Sequence, residues 1–196
     1  MTVGGQKAAL DPARDALVNV NGMGEPVPSA RFMGGREYEI IRAGQSAICD
    51  KVVLREVAES GPYLMPSVVP ESGPFQGRIH HWIAGEPKQT TPERSAALSF
   101  YLALMTAECL SLTGHQGPIV VEGPFAANTA YCEMLHAATN WPIFVSESAT
   151  GTSQGAALLT LDTSTLPERL GPVPFDATND SNYRAYAEEW RRALFT

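Results

Sequence analysis

Two short segments of this chain carry residue types suited to holding a ligand against the backbone. The first is Glu122-Gly123-Pro124-Phe125, which follows the β-branched run Ile119-Val120-Val121 and closes at Asn128. The second is Gly34-Gly35, which leads into a helical run ending at Gly44. Glycine lets another molecule approach the main chain, and a helix start beyond it offers free N–H groups, so the first segment, at the loop edge of a strand-loop-helix unit, suits a nucleotide. Each also has a purely structural reading. Gly34-Gly35 can be a loop that lets a helix pack closely, and Asn128 can be a local helix cap. A third polar stretch, residues 147–153, contains Gly151 and resembles a phosphate cradle, but it lacks the lysine of a P-loop and the spacing of a dinucleotide fingerprint.

Metal and thiol chemistry have little support. His80 and His81 are adjacent while His115 and His136 stand alone, so no spacing puts two imidazoles on one helix face. Cys49, Cys109 and Cys132 are odd in number and far apart within apolar surroundings, which predicts buried free thiols.

The elements that must position the two glycine segments follow from periodicity. Residues 119–121 read as a strand, 127–138 as a helix, 142–145 as a second strand, and 155–159 as the opening of a further helix. Two strand-loop-helix units in succession predict parallel strands with their loops at one sheet edge. The clearest helix begins at Thr91-Pro92-Glu93 and ends at Gly114, with Leu98, Tyr101, Leu102, Met105, Cys109 and Leu112 forming one broad apolar face. Ser46 can cap a helix over residues 47–59, with Ile48, Val52 and Val53 as its stripe. Residues 17–22 suggest a strand entering a turn, and Pro26-Val27-Pro28 an extended segment. Residues 61–77 hold too many prolines and glycines for regular structure, yet Leu64, Met65, Val68 and Val69 favour an ordered loop. Residues 163–182 read as a surface linker before a terminal helix whose Tyr183, Tyr186, Trp190 and Leu194 dock on the chain's own core.

At 196 residues, 44% hydrophobic and 18% charged, the chain can bury one proper core. Its net charge of −7 and pI near 5.1 argue against nucleic acid and anionic membranes as partners, leaving a small molecule, another protein or a second copy of the chain. No apolar run approaching the roughly 20 residues of a membrane span is evident, and MTVGGQKAAL lacks the regions of a signal peptide, so a cytoplasmic location is expected.

VVEGPFAAN, followed by a helix, a strand and GTSQGAALL, resembles the purine-binding end of the FGGY carbohydrate kinases. RFMGGREYEII resembles the segment that follows the Gly-Thr phosphate loop in the same family, particularly in its fuculokinase and rhamnulokinase branch. The resemblance covers nearly the whole chain and the C-terminal half of the family's proteins. It implies an α/β domain of the ribonuclease H-like, actin-like ATPase class, with a sheet flanked by helices. Residues 1–196 would be the C-terminal nucleotide-binding domain of a sugar kinase, without the N-terminal half and the start of this domain. The implied activity is transfer of the γ-phosphoryl of ATP to a sugar or polyol hydroxyl. The catalytic aspartate, the sugar site and most Mg²⁺ and phosphate contacts would lie outside this chain, which alone is expected to be inactive. Adenine would contact Gly34, Gly35 and Glu39 on one side and Gly123, Pro124, Phe125 and Asn128 on the other. Pro124 and Phe125 depart from the family's Gly-Ala. Proline removes a donor, and the phenyl ring either stacks on the base or narrows the pocket. The alternative from another class is a non-enzymatic actin-like interaction or regulatory module that uses the terminal helix or the 61–77 loop.

Overall fold

The computed structural model describes residues 2–5, 10–44, 49–146, 156 and 171–196. The polar stretch 147–153, most of the helix expected from Gly155, Ser46 and Ile48, and residues 163–170 lie outside the described residues. The strands are β1 (Thr2–Val3), β2 (Ala16–Val20), β3 (Pro26–Ala30), β4 (Tyr63–Met65), β5 (His81–Ile83), β6 (Ile119–Val121), β7 (Ile143–Val145) and β8 (Val173–Pro174). The helices are α1 (Gly34–Arg42), α2 (Lys51–Ser60), α3 (Pro92–Leu112), α4 (Thr129–Thr139) and α5 (Ser181–Ala193). Two three-stranded sheets, ordered β1-β3-β2 and β6-β7-β8, and the hairpin β4-β5 surround α3 and its neighbours.

The β6–β7 pair is parallel, as two strand-loop-helix units require, with Ile119 opposite Ile143 and Val121 opposite Val145. The extended segment at Pro26-Val27-Pro28 is a true strand, which the prolines alone would not suggest. Its register explains why they are tolerated. Pro28 faces Val18 and Pro26 faces Val20, and Gly4 donates to the Pro28 carbonyl from the β1 side. The ladder to β2 therefore runs through Val27 and Ser29, and the prolines' missing N–H groups point to the edge on which β1 pairs at Ser29 and Ala30.

α3 forms as its sequence indicates: the Thr91 hydroxyl accepts from the Arg94 N–H, and Pro92 takes the first turn, where no donor is needed. It differs from expectation in being buried on all sides rather than on one face, without a break from Ala96 to Met105. It is also long and apolar enough to cross a membrane by length and composition, contrary to the sequence reading, but most of it is packed inside the fold. α2 is capped by Asp50, which accepts from the Val52 and Val53 N–H groups, and it begins at Lys51 rather than near Ala47. Its fully buried residues are Leu54, Val57 and Ala58; of the expected stripe Val53 packs half-buried against the core, while Val52 is exposed.

The Pro- and Gly-rich segment contains β4, and beyond it an excursion folded inward rather than across the surface. Ser67 donates to the Phe75 carbonyl, and the Asp15 carboxylate accepts from the Ser72 hydroxyl and the Gly73 N–H. Burial pushes the Asp15 carboxyl up, but the bonds from Gly73, Ser72 and Arg31 outweigh it and hold it below its ordinary value. Residues 173–174, expected to be linker, add β8 to β7.

α5 docks its aromatic face as expected: Tyr183, Tyr186, Trp190 and Leu194 are all buried. The thiols of Cys109 and Cys132 are fully buried, and burial raises both to about 12. At pH 8 a thiol reagent should therefore modify neither at an appreciable rate until denaturant is added, since the thiolate is the reacting species. Rapid labelling of either cysteine in the native protein, located by peptide mass mapping, would contradict this packing.

Candidate functional site

α1 starts at Gly34 without a side-chain cap, which leaves its first backbone N–H groups available. Gly35, Tyr38 and Glu39 stand at helical spacing and present one face. Opposite them lies the turn after β6, a short 3₁₀ helix over Pro124–Ala127 that runs into α4. Pro124 occupies its first position, and the turn is closed by Ala126 donating to Gly123 and Asn128 donating to Phe125, so proline's missing donor is not needed here. Gly123 adopts φ 78°, ψ −161°, a conformation open to glycine and strained for other residues.

Between these walls is a cavity of about 560 Å³, lined by Gly35, Tyr38 and Glu39 of α1 and by Pro124, Phe125 and Asn128 of the turn. Ser95 and Ser99 of α3 and Cys49 complete its lining. Gly34 instead lines a neighbouring cavity of about 440 Å³, and Phe125 and Gly35 belong to both. Gly123 lines neither and acts through its backbone conformation. Six of the seven residues singled out from the sequence thus border one or other of two adjoining cavities, five of them the larger.

Phe125 forms the partition. Its ring stacks on Tyr131 with centroids 5.3 Å apart and takes the edge of Tyr38 at 5.8 Å. Asn128 caps α4: Oδ1 accepts from the Tyr131 N–H at 3.1 Å, and Nδ2 donates to Ser99 Oγ at 3.0 Å. The amide keeps one N–H and one lone pair for a ligand, so capping and binding are compatible. Glu39 is largely exposed and pairs with Arg42 at 2.6 Å, with the Arg42 guanidinium over the Tyr38 ring. The Cys49 thiol donates to the Pro92 carbonyl, and burial, then Glu93 and Asp50, raise it to about 11, so it is a neutral wall group.

Sequence reasoning missed Ser95, Ser99, Tyr38 and Tyr131, because helix periodicity identifies core positions and not cavity walls. It also passed over Glu37, which is fully buried on the inner side of α1. The Glu37 carboxylate accepts from the Tyr101 hydroxyl at 2.8 Å and the Val69 N–H at 3.3 Å, and burial drives its pKa up. Its spacing of four from the buried Ile41 was the available signal. Among the described residues no group of three or more His, Cys, Asp or Glu side chains could hold a metal ion.

An α/β domain with this cavity at the loop edge of a parallel pair belongs to the actin-like ATPase class. The chain is a member of the family described as carbohydrate kinase FGGY, C-terminal domain, whose model matches residues 1–168. A carbohydrate kinase from Novosphingobium aromaticivorans is 31% identical and superposes with a TM-score of 0.81, over 95% of this chain and 42% of its own. A Plasmodium falciparum glycerol kinase with ADP (17% identity, TM-score 0.61, 98% of this chain and 43% of its own) shares the fold. So does a xylulose kinase from Lactobacillus acidophilus (14% identity, TM-score 0.62, 99% and 43%). The chain therefore spans less than half the length of these structures. Among functionally curated proteins there is no match.

Proposed function

We propose that this chain is the nucleotide-binding half of an ATP-dependent carbohydrate kinase, and that adenine occupies the 560 Å³ cavity between α1 and the turn after β6. The observation that carries this reading is convergence: Gly35 and Glu39 lie far in sequence from Pro124, Phe125 and Asn128, yet all five line one cavity. Its volume falls within the range of small-molecule sites, roughly 300–1,000 Å³. Its walls combine aromatic faces with a few polar groups, as a purine requires. The Arg31-to-Ile41 motif supports the fuculokinase- and rhamnulokinase-like branch, and a cytoplasmic location goes with this reading.

The residues present fit the base better than the rest of the cofactor. ATP supplies the phosphoryl group and Mg²⁺ neutralises its charge. The chain's own contribution is positional: α1 and the turn hold the base, Asn128 is fixed by Tyr131 and Ser99, and Phe125 closes the far wall. The base that deprotonates the sugar hydroxyl and the sugar contacts belong, in this proposal, to the other half of the kinase. The chain alone then gives no sugar-dependent ATP turnover. Adenosine, ADP and ATP should bind weakly and almost alike, because each charge-assisted phosphate contact that is lacking removes roughly 1.5–3 kcal/mol. Titrating all three while following amide shifts by NMR should move Gly35, Tyr38, Glu39 and the start of α4. A large preference for ATP, or shifts elsewhere, would overturn the assignment. The interaction-module alternative loses one surface suggested for it, since the aromatic face of α5 is buried.

A further inference from the structure

α1 is nine residues long, too short to hold its own shape in water, so its position comes from what it packs on. Its inner side offers little apolar surface, because the residues it buries are Ile41 and the acidic Glu37. Two polar contacts supply the rest. At the end of the helix, Arg94 Nε of α3 donates to the Ile41 carbonyl at 2.9 Å. In the first turn, Glu37 Oε2 accepts from the Tyr101 hydroxyl of α3, and Oε1 accepts from the Val69 N–H of the excursion after β4. Phe32 brings the start of α1 and that excursion together a second time, since a Cβ added to either Gly34 or Gly73 would stand 2.9 Å from its side chain. Among the described residues no lysine, arginine or histidine pairs with Glu37. A carboxylate without a cation is costly to bury. An apolar side chain would seal the same space without that cost, so what the carboxylate adds is direction.

We propose that Glu37 is a positioning residue for the nucleotide cavity: it fixes the rotation of α1 about its axis, and with it the place of Gly35, Tyr38 and Glu39 in the cavity wall. The proposal rests on the nucleotide reading above. Successive helical residues step about 100° around the axis, so Gly35 and Glu39, each two positions from Glu37, lie on the side away from it. A rotation that withdraws Glu37 from Tyr101 moves both of them in the wall. Apolar contact through Ile41 tolerates such a rotation, because it has no preferred direction. Two donors on different elements do not, because a hydrogen bond weakens steeply with angle. A helix seated for only a fraction of the time lowers the apparent affinity by that fraction. The effect also runs outward: a nucleotide that favours the seated helix favours the bond to Val69, which lines neither cavity. Glu37 touches no ligand and acts only through α1.

The test pairs urea denaturation with adenosine titration, the latter followed by amide NMR well below the unfolding transition. Glu37→Ala should weaken adenosine by about tenfold or more and abolish the shift that adenosine produces at the Val69 amide. Glu37→Gln keeps an acceptor oxygen and the side-chain length, so it should bind within about twofold of the unaltered chain, with the Val69 response restored. Ile41→Ala separates position from packing. It removes the apolar contact and leaves both polar ones, so it should unfold at lower urea yet hold adenosine within about twofold. Tyr101→Phe removes only the hydroxyl, and by weakening adenosine about fourfold or more it gives the same reading should Glu37→Ala fail to fold. Unchanged affinity in Glu37→Ala or in Tyr101→Phe overturns the proposal. So does an affinity loss in Ile41→Ala as large as that in Glu37→Ala, or a Glu37→Gln variant that does not recover binding. Adenosine shifts at Gly35 and Tyr38 without one at Val69 leave the nucleotide reading standing and remove the proposal. An unaltered chain that shows no adenosine-dependent shifts overturns the nucleotide reading, and the proposal with it.

Discussion

Replacing Trp190 with alanine should lower the unfolding free energy by about 3–5 kcal/mol, a large part of the roughly 5–15 kcal/mol that holds a typical domain folded. The indole is completely buried, sits edge-on to Phe75 at 6.4 Å, and donates through Nε1 to the Leu64 carbonyl at 2.8 Å. Truncation therefore opens a cavity and leaves the Leu64 oxygen short of a partner, and the two costs add. The effect reaches across the molecule because α5 fastens β4: Tyr186 likewise donates to the Pro62 carbonyl just before that strand. Urea denaturation followed by circular dichroism measures it. Trp190→Phe should recover more than half of the loss, since it restores most of the packing and only the hydrogen bond is missing. A loss below about 1 kcal/mol for the alanine variant would show that α5 is not integral to the fold.

What was legible in the sequence divides along physical lines. α3, α5 and the β6–α4–β7 unit announce themselves because each has a cap, a long period or a β-branched run set by local geometry. Residues 2–3, 63–65 and 81–83 do not, because strands of two or three residues are too short to show alternation and are held by partners distant in sequence. The prolines of β3 point away from strand until its register with β2 is known. The stripe of α2 was legible only in part: Val53 packs against the core, but the apolar Val52 is exposed and the fully buried Leu54 and Val57 lie on the side toward α3 and α5. For the cavity, the sequence offered the glycine-bearing turns but not Ser99, whose place beside Asn128 depends on how α3 crosses the sheet. Resemblance to a family supplied the pairing of the two turns, and periodicity could not have done so.

Gly35, at the wall of the cavity, and Gly123, in the turn beside it, should respond to substitution in opposite ways, because one supplies space and the other a backbone conformation. A Cβ built on Gly35 meets nothing within 4 Å, and its φ lies outside the left-handed region, so a side chain there is accepted by the apo fold. Gly35→Leu places four carbons at the wall of the cavity. Leucine also favours the first turn of α1 over glycine by up to about 0.8 kcal/mol. The variant should then unfold at the same or higher denaturant concentration while adenosine affinity falls by tenfold or more, about 1.4 kcal/mol. Gly123→Ala should do the reverse. Space is open there too, but φ 78° with ψ −161° strains any other residue by about 1–3 kcal/mol, so stability drops. Adenosine binding at saturating stability, measured well below the unfolding transition, should change much less than in Gly35→Leu. Paired urea titrations and adenosine titrations on both variants give four numbers. Loss of stability in Gly35→Leu would mean that α1 needs this glycine for packing, and unchanged affinity would mean that adenine does not lie against Gly35.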